Sequence, residues 1–130
     1  MIGLDTNVLV RYLTQDDLRQ AKAATELIES ASSEETFFVS TVVLCELVWV
    51  LEVAYEVPRA DIHAILEKVL RTAQFRFESS DVLWQALGDY AAGRADFADY
   101  VIARVCATYG CQQVVTFDKA LKNRPAFRVL

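Results

Sequence analysis

Short apolar runs alternate with longer stretches of helical spacing along this chain. The runs are residues 1–4, 36–40, 74–77, 113–117 and 126–130, rich in Phe, Val and Ile. They are too short for helices and are predicted strands. Between them the spacing is that of amphipathic helices. Val8, Leu9, Tyr12 and Leu13 form one stripe, and Ala21, Ala24, Leu27, Ile28 and Ala31 a second. Residues 41–53 read as a nearly continuous apolar helix. Ile62, Ile65, Leu66, Val69 and Leu70 follow Pro58, a residue suited to a helix start. Val82, Leu83, Ala86, Leu87 and Tyr90 follow Ser80, a predicted N-cap. A last helix over 97–109 is predicted to end at Gly110, where a left-handed residue closes the final turn. Strands alternating with helices imply parallel pairing, so the expectation is a three-layer α/β/α domain around a parallel central sheet of about five strands. Ligands of such sheets sit beyond the carboxyl ends of the strands.

Composition narrows the classes of function. The 130 residues are 54% hydrophobic and contain only four Gly and two Pro, which excludes a disordered or low-complexity chain. The length fits a single domain over 1–130. No run approaches the roughly 20 apolar residues of a membrane span, because Glu46 interrupts the best candidate at 37–51. No basic leader is visible, and the cysteines, Cys45, Cys106 and Cys111, have neither disulfide-framework nor zinc-site spacing. A cytoplasmic location is expected. The net charge of −5 argues against a simple nucleic-acid binder. That objection weakens if four of the 18 acids surround cations, since 14 acids would then face 13 bases. A single histidine, His63, excludes mechanisms that need two imidazoles, and it reads as an exposed structural residue. Hydrolytic chemistry would have to rest on carboxylates.

Four carboxylates stand out by position. Asp5 directly follows the first predicted strand, and Asp118 directly follows the fourth. Each also reads as a helix N-cap. Glu46 has Val42, Val43, Trp49 and Val50 three and four residues away. That is no charged face, and an ionised carboxylate buried there lacks a local partner. Glu46 therefore reads either as a protonated or distantly paired core residue or, the better reading, as a carboxylate that a cation compensates. Asp99 shares a helix face with Asp96 near a helix start, flanked by Ile102 and Ala103, and Asp96 is the auxiliary candidate. Thr6, Asn7 and Thr116 are further auxiliary candidates. Like charges gathered in a cleft require raised pKa values or bound cations. An oxygen-only donor set favours Mg²⁺ or Mn²⁺ over Zn²⁺. Arg11, Lys119 and Lys122 read mainly as solvated charge.

The segments Gly3-Leu4-Asp5-Thr6-Asn7-Val8-Leu9-Val10-Arg11, Cys45-Glu46-Leu47-Val48-Trp49-Val50-Leu51, Asp96-Phe97-Ala98-Asp99-Tyr100-Val101-Ile102-Ala103 and Val115-Thr116-Phe117-Asp118-Lys119 occur in this order. Together they resemble the PIN-domain ribonucleases, specifically VapC-type toxins of type II toxin–antitoxin pairs. The resemblance implies a Rossmann-like parallel sheet with helices on both faces, and an acidic quartet of Asp5, Glu46, Asp99 and Asp118 acting as catalytic and metal-binding residues. It also implies Mg²⁺ (with Mn²⁺ as a substitute), endonucleolytic cleavage of RNA, a co-encoded antitoxin and a homodimer. The expected reaction is phosphodiester hydrolysis by metal-activated water. Two other designs fit parts of the pattern: a receiver-type phospho-acceptor domain with an acidic Mg²⁺ pocket, and a PIN-like adaptor without catalysis. Glu46 inside an apolar helix is hard to place in the first, and the intact quartet argues against the second.

Overall fold

A computed structural model describes all of residues 1–130. All five predicted strands form, each inside its apolar run: β1 (Ile2–Gly3), β2 (Phe37–Val39), β3 (Phe75–Phe77), β4 (Val114–Thr116) and β5 (Phe127–Val129). The helices between them are α1 (Thr6–Thr14), α2 (Leu18–Glu29), α3 (Thr41–Val53), α4 (Arg59–Arg71), α5 (Ser80–Ala92) and α6 (Phe97–Thr108). A single 3₁₀ turn spans Lys119–Leu121. Every ladder is parallel, as strand–helix alternation requires. The strands nevertheless form two sheets, β1-β2-β3 and β4-β5, and not the single sheet of about five expected from the sequence. Alternation dictates parallel pairing but says nothing about which edges meet. β1, at two residues, has few ladder positions to offer.

The chain divides into two compact units, Met1–Ser80 and Asp81–Leu130. In the first, α1 packs on both α2 and α3, and α4 packs on α3 and β3. The core residues there include Leu9, Ile28, Phe37, Leu44, Leu47 and Leu66. The burial of α3 explains its sequence. Leu44, Leu47, Val48 and Leu51 face inward, and its start is held from two sides: Ser40 Oγ accepts from Val43 N at 3.2 Å, and Glu78 Oε1 accepts from Thr41 N at 3.0 Å.

In the second unit, Tyr90 and Phe97 meet edge to face at 5.9 Å, as do Tyr100 and Phe127 at 6.4 Å. Arg104 on α6 makes a two-point contact with Asp89 on α5, at 2.7 and 2.8 Å. Gly110 has φ +85° and closes α6 as predicted. Ser80 is the first residue of α5 and not its cap. No helix is long and apolar enough to cross a membrane.

Candidate functional site

In Met1–Ser80 the candidate residues lie where β1 runs into α1, and on α3. Asp5 has extended backbone (φ −81°, ψ 158°), and its Oδ1 accepts from Thr6 N at 2.9 Å. It therefore does serve as the α1 cap, while remaining exposed with other lone pairs free. Thr6 is the only buried polar residue in the chain, at 5% exposure, and its hydroxyl donates to Glu46 Oε2 at 3.3 Å. Glu46 has no ion-pair partner.

The expectation that Glu46 sits among buried apolar neighbours is corrected. Glu46 is exposed, and so are Val42 and Trp49, at 65% and 62%. The apolar surroundings inferred from spacing are a solvent-facing stripe of α3. Cys45, beside Glu46, is half-buried, and burial pushes its thiol up to about 11, which leaves it unreactive at neutral pH.

Asn7 is exposed and lines a cleft of about 350 Å³ between α1 and α2, with Val8, Arg11 and Leu27. Arg11 is less free than the sequence suggested. Its guanidinium donates to Gln20 Oε1 at 2.7 Å, Asp16 Oδ1 at 3.2 Å and the Tyr55 hydroxyl at 3.1 Å. Tyr55 donates in turn to Asp16 Oδ2 at 2.7 Å. Hydrogen bonds from Tyr55 and Thr14 hold the Asp16 carboxyl down at about 2. This cluster joins α1, the α1–α2 turn and the segment after α3. No sequence signal had singled out Asp16 or Tyr55. Ser40 was legible as a cap, standing at a strand end before an apolar helix, but its role in holding α3 was not drawn from the sequence.

In Asp81–Leu130 the candidates gather around the start of α6 and the end of β4. Asp96 occupies the N-cap position of α6, yet its side chain makes no capping bond. Asp99 lies in the first turn and is half-buried, while Asp96 is exposed. A carboxylate near a helix N-terminus is ordinarily favoured in its charged form. The Asp99 carboxyl is instead pushed up, first by burial, then by the like charges of Asp96 and Asp118. Asp118 caps the 3₁₀ turn through Ala120 N at 2.8 Å, so its bland reading also holds. Thr116 Oγ1 accepts from Asp118 N at 3.0 Å and fixes the backbone there. Lys119 and Lys122 are exposed and, with Arg128, line a cleft of about 540 Å³.

The structure thus brings Asp5, Thr6 and Glu46 together in one unit, and Asp96, Asp99 and Asp118 in the other. No group of three or more His, Cys, Asp or Glu side chains is arranged to hold a metal ion. His63, on α4, is half-buried and not exposed.

The model of the PIN-domain family matches residues 2–126. A VapC ribonuclease of Aquifex aeolicus (strain VF5) is 28% identical over 120 residues, covering 92% of this chain and 89% of that protein. All four carboxylates singled out by position, at a strand end or on a helix, fall inside the matched span. The chain belongs to the PIN-domain family and is related to VapC ribonuclease.

Proposed function

We propose that this chain is a divalent-metal-dependent endoribonuclease and the toxin of a toxin–antitoxin pair, with Asp5, Glu46, Asp99 and Asp118 as its catalytic carboxylates. The family match across both units supports reading residues 1–130 as one such domain, with the three-layer arrangement of the family. The observation that carries the chemistry is Asp99. Burial and two neighbouring carboxylates disfavour its charge, and a cation would relieve that repulsion. Carboxylates and a hydroxyl are hard oxygen donors, which suit Mg²⁺ or Mn²⁺.

Held by these carboxylates, such an ion would supply a more acidic water and positive charge beside the phosphate. The chain's own residues have separate tasks. Asp5 and Asp118 are held by their capping bonds at the carboxyl ends of β1 and β4, where ligands of parallel sheets bind. Thr6 orients Glu46 by its hydroxyl. Lys119 and Lys122 contact backbone phosphates of the RNA, and Asp96, Asn7 and Thr116 assist. Two protein partners belong to the reading, a co-encoded antitoxin and a second copy of the chain. Val42, Trp49 and Val53 repeat along one face of α3 at 65%, 62% and 58% exposure, apolar area of the kind such partners cover. A cytoplasmic location accompanies this role.

The test is cleavage of end-labelled RNA by the purified chain with Mg²⁺, with EDTA, and by Asp5→Asn and Asp99→Asn. Cleavage that needs Mg²⁺, is abolished in both variants and leaves 5′-phosphate and 3′-hydroxyl ends is expected. A 2′,3′-cyclic phosphate product, or full activity in EDTA, would refute the proposal.

A further inference from the structure

At the carboxyl end of α6 two cysteines stand on either side of a glycine turn. Cys106 lies in the last full turn of the helix. Gly110 adopts the left-handed backbone (φ +85°) that reverses the chain, and Cys111 follows it. Gly110 N donates to Ala107 O at 3.0 Å, and Cys111 N donates to Cys106 O at 3.1 Å. This pair of bonds is the Schellman arrangement, in which the residue after the glycine folds back onto the helix three residues before its cap. Such a turn commonly buries an apolar contact between those two positions. Here both positions are cysteine, and burial, followed by the neighbouring Cys111 thiol, pushes the Cys106 thiol up. Cys111 is exposed, Cys106 is half-buried, and neither is in a disulfide.

We propose that Cys106 and Cys111 form a dithiol modification site that a peroxide converts to an intramolecular disulfide. The backbone bond between the two residues fixes the turn that places them at facing positions, so closure draws on side-chain rotation within a turn that already exists. The exposed Cys111 sulfur attacks one peroxide oxygen. The O–O bond breaks, one water leaves, and Cys111 becomes a sulfenic acid. The Cys106 sulfur then attacks the Cys111 sulfur. The S–S bond forms, the S–O bond breaks, and a second water leaves with the remaining thiol proton. Two thiols are oxidised and one hydrogen peroxide is reduced to two waters. A thiol reductant such as dithiothreitol reverses the change by exchange.

The disulfide would tie the last turn of α6 to the segment entering β4, the strand that ends at Thr116 beside Asp118. Ring closure removes the alternative in which the glycine turn opens and the helix end frays. The inference is independent of the ribonuclease reading and stands or falls on thiol chemistry alone.

The experiment treats the full chain with hydrogen peroxide, then counts thiols under denaturing conditions and maps the peptides. Free thiols are expected to fall from three to one, with the intact mass reduced by two hydrogens and the link mapped to Cys106–Cys111. Amide exchange at Gly110 and Cys111 is expected to slow on oxidation and to recover with dithiothreitol. Cys106→Ser is expected to halt at the Cys111 sulfenic acid, trapped by dimedone, and to form no intramolecular bond. Three thiols persisting after treatment would overturn the proposal. So would a link to Cys45 or to another chain, or progression of Cys111 to sulfinic acid while Cys106 stays reduced.

Discussion

Thr6→Val isolates the contact that orients Glu46. The substitution keeps the branched shape and removes the hydroxyl that donates to Glu46 Oε2 at 3.3 Å. A hydrogen bond to a charged group contributes about 1.5–3 kcal/mol, and a neutral one about 0.5–1.5 kcal/mol. The distance is at the long end of the range and Glu46 is exposed, so water competes for its oxygens. The expected value is about 1 kcal/mol. Thr6 itself is only 5% exposed, and a methyl in place of its hydroxyl gains up to about 0.8 kcal/mol of apolar burial. These terms nearly cancel, so the stability of the single variant decides nothing. The measurement is therefore a double-mutant cycle by urea unfolding of wild type, Thr6→Val, Glu46→Ala and the double variant. A coupling of about 1 kcal/mol, roughly a fivefold factor in the folding equilibrium, is expected. Thr6→Ser, which restores the hydroxyl, should recover most of it. Additivity within about 0.3 kcal/mol would show that the bond does not form in solution and that Thr6 does not orient Glu46.

Three further outcomes follow from the structure. Because burial and its acidic neighbours raise the folded pKa of Asp99, its ionised form destabilises the native state. Asp99→Asn in EDTA should raise the melting temperature at pH 7, and the gain should vanish as the pH falls below the ordinary carboxyl value of 3.8; a gain independent of pH would contradict this cause. A methyl at Gly93 would land on the Tyr100 phenol, whose oxygen accepts from Ala95 N at 3.1 Å, so Gly93→Ala should cost about 1–3 kcal/mol. It should lower the urea midpoint with the m-value unchanged, and an unaltered midpoint would refute the clash. Tyr55→Phe should move the Asp16 carboxyl up from about 2, measured by carbon-13 NMR titration. In the wild type the stabilisation from Asp16 is complete above the ordinary 3.8 and is lost as pH falls toward 2, so an unmoved titration would remove Tyr55 as its main cause.

What the sequence disclosed about this fold was local. Each apolar run became a strand because a few β-branched and aromatic residues suffice to specify one, and Gly110 ended α6 because only glycine takes φ +85° without strain. Strand partnership was not legible, since it depends on which edges meet and no residue in the β1 or β4 runs encodes that. The environment of Glu46 failed for a different reason. Helix α3 is apolar around nearly its whole circumference, with Leu44, Leu47, Val48 and Leu51 inside and Val42, Trp49 and Val53 outside. A helix without a polar stripe gives no sign of which face is buried.

The acids at strand ends show where the functional and structural readings stop competing. Asp5 and Asp118 each make the capping bond that a purely structural reading predicts. A capping carboxylate uses one lone pair of several, and the bond fixes its direction. Capping is therefore a means of aiming a carboxylate beyond a strand, and evidence for the cap is not evidence against a catalytic role. Asp96 makes the complementary point. It holds the N-cap position of α6 without making the bond, and its charge instead raises the pKa of Asp99 one turn further on. A helix start that forgoes its capping bond and accepts carboxylate repulsion gives up stability locally, as sites built for a cation do. The double variant Asp96→Asn/Asp118→Asn should accordingly bring the Asp99 titration down toward 3.8, leaving the effect of burial and the opposing backbone hydrogen bond at Asp96. An unmoved Asp99 titration would mean that burial alone raises it and that the three acids do not act on one another.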